Sequence, residues 1–74
     1  MNDYRLSYKI DDEASLCTKY DQSDDDDRAF CDLSVMIKKQ LRTRASGCSI
    51  IKFEKYCPYR DIWTDLKFHE DRIS

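Results

Sequence analysis

Few residues in this 74-residue chain could do chemistry: one histidine, His69, four cysteines, Cys17, Cys31, Cys48 and Cys57, and a run of four aspartates, Asp24 to Asp27. Nucleophilic or acid–base catalysis needs a thiol or hydroxyl held against an oriented base. His69 falls in the C-terminal segment, away from any acid or nucleophile that the pattern places. Structural zinc is usually gripped by close pairs such as C-x(2–4)-C, whereas the nearest cysteines, Cys48 and Cys57, bracket an expected strand. The single glycine, Gly47, leaves no phosphate-cradling loop. The acidic stretch "DQSDDDDRAFCD" lacks the central glycine and the terminal glutamate of an EF-hand. A domain this short also has little room for a pocket of a few hundred Å3. The expectation is therefore a protein that is not an enzyme, with no catalytic set, no cofactor and no metal site.

Four cysteines in a secreted domain would invite two disulfides with three connectivities. The opening "MNDYRLSYKI" alternates polar and apolar residues, so it does not resemble a signal peptide. No run approaches the roughly 18 apolar residues of a membrane span. The expected setting is cytoplasmic, where small buried thiols act as modest hydrophobes.

The elements that must position these residues follow from periodicity. Tyr4, Leu6, Tyr8 and Ile10 alternate with Arg5, Ser7, Lys9 and Asp11, the signature of a strand with one buried and one wet face. After a polar turn at Asp11, Asp12 and Glu13, a second strand is expected with Ala14, Leu16, Thr18 and Tyr20 on its buried face. Ser23 is placed to cap a helix over about residues 24–45, with aspartates in its first turn and Arg42 and Arg44 in its last, where the macrodipole favours each charge. Gly47 is placed to leave that helix through a left-handed cap. Ala29, Phe30, Leu33, Met36, Ile37 and Leu41 form one apolar stripe, with Cys31 and Val35 on the opposite side. "SIIKFEKY" supplies a third strand, with Ile51 and Phe53 on one face and Ile50 on the other, and Pro58 ends it. "DIWTDLKF" alternates as a fourth strand, although Ile62 and Leu66 would also suit a helix. The segment from about residue 69 is expected to fray.

The expected fold is thus α+β: a small antiparallel sheet, ββαββ in sequence order, with one amphipathic helix on one face of a single domain spanning 1–74.

Charge is segregated along the chain. The first 27 residues carry nine acids and three cations, and Arg28 to Lys55 carries seven cations and two acids, within an overall net charge of −2. Such polarity steers encounters with a charged partner. Two clusters are candidate partner-binding sites. One is acidic, Asp21 with Asp24, Asp25, Asp26 and Asp27, of which the helix dipole accounts for only one or two. The other is aromatic with arginine, Tyr56, Tyr59, Arg60 and Trp63, the residue types that dominate interface hot spots. They suggest an interaction module that binds, and inhibits, a larger protein or nucleoprotein complex. In size and composition alone the chain resembles small inhibitors encoded by phages and mobile elements. The alternative is a nucleic-acid-binding accessory protein using Lys38, Lys39, Arg42, Arg44 and Lys52. An open sheet edge, or Cys31 with Val35, leaves room for a homodimer.

Overall fold

A computed structural model describes residues 1–42, 47–68 and 70–73. Its elements run β1 (Asn2–Ile10), β2 (Leu16–Ser23), α1 (Asp26–Leu41), β3 (Cys48–Cys57), β4 (Ile62–Leu66) and β5 (Arg72–Ile73). The strands form one antiparallel sheet in the order β2-β1-β3-β4, and β5 also pairs with β3. This is the expected α+β fold, with one short strand more.

The strongest alternation in the sequence lies in the central strand. Tyr4, Leu6, Tyr8 and Ile10 of β1 are all buried, and Ala29, Leu33, Ile37 and Leu41 of α1 cover them from one side. Phe30 and Met36 of the expected stripe pack on the margin of this core. Two hydroxyls tie the layers together: Tyr4 donates to Asp26 at 2.5 Å and Tyr8 donates to Gln40 at 2.5 Å. Among the described residues no helix lies on the sheet's other face.

The second strand is turned over relative to expectation. Tyr4 lies opposite Asp21, Leu6 opposite Lys19 and Tyr8 opposite Cys17. Even-numbered residues of β1 therefore meet odd-numbered residues of β2, and Leu16, Thr18 and Tyr20 stand on the open face. Strand side chains alternate with period two, so a register shifted by one residue exchanges the faces. The connection between β1 and β2 sets that register, and alternation within β2 cannot reveal it.

A bulge changes β3 in a similar way. Ser7 pairs with Lys52 but Tyr8 pairs with Ile50, which leaves Ile51 without an opposite residue. The extra residue lets Cys48 and Ile50 enter the core before it and Phe53 after it. Ile51, expected beside Phe53, is instead 45% exposed.

The helix is shorter than expected and has a different cap. Asp25 is the N-cap and its carboxylate accepts from the Arg28 N–H at 3.2 Å. Ser23 is the buried end of β2, and its hydroxyl accepts from the Asp25 N–H at 3.4 Å. The last turn carries Lys38 and Lys39, with Arg42 at the C-cap. Arg44 and Ala45 lie outside the described residues. Gly47 does not adopt positive φ, so it is not a left-handed cap; its carbonyl accepts from the Asp11 N–H at 3.0 Å.

Near the C-terminus the chain is held where fraying was expected. Ile73 is buried opposite Cys48, the Ile50 N–H donates to the Asp71 carbonyl at 2.8 Å, and Arg72 reaches Asp11 at 2.6 Å. His69, in the same segment, lies outside the described residues.

Candidate partner-binding face

The register just described assembles a cluster on the open face of the sheet. Across the strands, Tyr20 of β2 neighbours Arg5 of β1, which neighbours Glu54 of β3. One step along, Trp63 of β4 lies opposite Tyr56 of β3. Arg5 and Glu54 form a two-pronged ion pair, Nε to Oε1 at 2.8 Å and Nη2 to Oε2 at 3.2 Å. The same guanidinium lies 4.2 Å from the centroid of the Trp63 ring. Tyr20 meets that ring edge-on at 6.2 Å, and Tyr56 meets it tilted at 5.4 Å.

Each partner restrains the next. Glu54 is buried although its face has no helix, because Arg5 satisfies its carboxylate. The paired guanidinium holds the Glu54 carboxyl below the usual glutamate range, against the opposing effect of burial. Tyr56 donates its hydroxyl to Asp61, which pushes the phenol above its ordinary range. Asp61 sits at φ 52°, a left-handed conformation that Asp tolerates better than most residues. The hydrogen bond thus joins the β3–β4 turn to the cluster.

The aromatic and arginine residues expected from sequence divide. Tyr56 and Trp63 come together, whereas Tyr59, 98% exposed, and Arg60 stand in the turn outside the stack. Sequence reasoning missed Tyr20, Arg5 and Glu54 as members. Placing Arg5 opposite Tyr20 in the first hairpin would have found them, and that placement depends on the turn.

The acidic run also divides. Asp25 caps the helix, and Asp26 accepts from Tyr4 while lying 3.5 Å from the Lys55 ammonium. Asp24 pairs loosely with the N-terminal amine at 3.7 Å. Asp21 is half-buried on β2 opposite Tyr4, and its Oδ2 has no hydrogen-bond partner among the described residues. Asp27 is exposed. Structure therefore uses Asp25 and Asp26, and leaves Asp24 and Asp27 to solvent.

The candidate basic set does not share one surface. Lys38, Lys39 and Arg42 lie exposed along and just past α1, whereas Lys52 opposes Ser7 on the open face of the sheet.

A groove of about 590 Å3 separates α1 from the β4 side of the sheet, floored by Phe30, Phe53, Leu66 and Phe68 and rimmed by Val35 and Lys38. The expectation of little room for a pocket is corrected here: the helix leaves the β4 margin uncovered. Cys31 is exposed in its wall, Cys48 is buried, and Cys17 and Cys57 are half-buried, all four as free thiols. Among the described residues no cluster of three or more His, Cys, Asp or Glu is arranged to hold a metal. No helix among them is long and apolar enough to cross a membrane.

Comparison of the chain with protein-family models, curated proteins and solved structures found no match.

Proposed function

We propose that this chain is a non-enzymatic interaction module, acting in the cytoplasm, that binds a larger protein or nucleoprotein complex through the open sheet face. One observation carries the reading: Tyr20 and Tyr56 pack against Trp63, whose ring lies under an arginine that Glu54 already holds in place. Interfaces concentrate binding energy in Trp, Tyr and Arg anchors, and anchors ordered beforehand lose less entropy on association. At the end of the face that holds these aromatics, Asp3 of β1 and Asp65 of β4 share the face and Asp61 accepts from Tyr56, so the partner surface complementary to that end is basic. Asp24 and Asp27 add to the long-range attraction of such a surface. Covering a basic surface denies it to its other ligands, and this is the route by which the module would inhibit.

The alternative, nucleic-acid binding through the cations, draws less support because Lys52 lies across the sheet from Lys38, Lys39 and Arg42. Affinity purification from the source cell, with the intact chain and with Trp63→Ala and Tyr20→Ala, tests the proposal. A stoichiometric protein partner, lost or weakened about tenfold or more by each variant while circular dichroism stays native, supports it. A partner that survives both variants but is lost on neutralising Lys38, Lys39 and Arg42 overturns it.

A further inference from the structure

The two outer strands of the sheet are not equally protected. An edge strand exposes unpaired backbone groups, and proteins guard such edges with inward-pointing charges. On β2, Lys19 and Asp21 point toward the helix side, opposite Leu6 and Tyr4, and the strand passes within three residues into α1. β4 ends the strand order with no such guard. Its helix-side residues are Ile62, Thr64 and Leu66, and Ile62 is 41% exposed.

We infer that the free edge of β4 pairs with β4 of a second copy of this chain, antiparallel about a two-fold axis at Thr64. The register follows from symmetry. Both copies place even-numbered residues on the helix side, so even must lie opposite even. Centring on Thr64 pairs all five residues of β4, Ile62 opposite the partner's Leu66 and Trp63 opposite the partner's Asp65. A slip of two residues one way brings Asp65 against the partner's Asp65, a like-charge contact that destabilises a ladder. A slip the other way sets Asp61 beside the partner's Asp65, and either slip shortens the ladder from five residues to three.

Charge complementarity selects the same register. Just beyond the ladder, Asp61 falls beside the partner's Lys67, and the symmetry repeats this contact at the other end. Both residues are exposed, and neither makes a salt bridge among the described residues. The exposed flank of Ile62 gains the partner's Leu66. An isologous contact of this kind closes after two copies. It leaves the open face uncovered and joins two such faces into one, with Trp63 and Asp65 of each copy at the seam.

Sedimentation velocity of the intact chain over a dilution series reads the association directly. A concentration-dependent dimer is expected, because a single strand pair is a small interface and holds weakly. Thr64→Lys, at an exposed position, sets like charges against each other on the axis and should weaken the dimer about tenfold or more. Leu16→Lys on β2 should leave it unchanged. In a Cys31→Ser background, Thr64→Cys should form an intermolecular disulfide under mild oxidation, because opposed residues of an antiparallel pair lie within disulfide reach. A chain that stays monomeric at every concentration overturns the inference and leaves the edge for a strand of another protein. A dimer that survives Thr64→Lys, or that is lost with Leu16→Lys, overturns it too.

Discussion

Arg5 serves two neighbours at once, which makes its loss informative. Arg5→Ala strips the ion pair from a buried carboxylate and the cation from the Trp63 face. Leaving Glu54 buried and unpaired should cost about 2 kcal/mol or more, read as a lower urea midpoint. Glu54→Gln in the Arg5→Ala background should recover part of that loss, because a neutral amide is cheaper to bury. Glu54 also sets an acid limit. Its folded pKa is depressed, so its contribution is complete above the ordinary glutamate value of about 4.3 and is lost as pH falls through the lower folded value. Tyr4 and Tyr8 set the alkaline limit. Burial is the leading cause that pushes each phenol up to about 12. Their contribution is complete below the unfolded value of about 10 and is lost as pH rises toward 12. Urea midpoints measured across pH should fall in both windows, and Tyr4→Phe should flatten the alkaline fall while costing about 1 kcal/mol at neutral pH.

At the scale of elements, the aspartate run separates into residues with distinct duties. Asp25→Ala removes the N-cap and should cost about 1 kcal/mol, or about 4–8 °C in Tm for a domain of this size. Asp24→Ala, which loosens only an exposed pair with the N-terminus, should change Tm little. Thermal melts of the two variants side by side check the division. The sequence made β1, the helix stripe and the faces of β4 legible, because each is read from periodicity within one segment. It did not reveal the face of β2, the bulge at Ile51 or the pairing of Ile73, because each depends on how two distant segments align. The candidate site was legible to the same extent: Tyr56 and Trp63 lie on adjacent strands of one hairpin, whereas Tyr20, Arg5 and Glu54 join them only through registers fixed elsewhere. Ser23 fitted the sequence signature of a cap, but it lies at the buried end of β2 and the next acids were equally able to serve.

At the scale of the molecule, one helix covers a sheet that extends beyond it. The β4 margin, with Ile62 exposed, and the open face lie outside its cover. Steering by the acids on that face should be sensitive to ionic strength. Raising salt from low to physiological levels should slow association with a basic partner more than it speeds dissociation, which stopped-flow mixing would resolve. Trp63→Ala should show the opposite pattern, leaving the encounter rate nearly intact and shortening the lifetime of the complex.

The chain contains a single tryptophan, and it lies in the aromatic stack with a guanidinium over its ring and two tyrosines at its flanks. Its emission therefore arises from one location, with no second indole to dilute the signal. Any ligand that displaces Arg5 or excludes water from the ring changes the colour and yield of that light, so the molecule carries a built-in optical reporter at the surface proposed for binding.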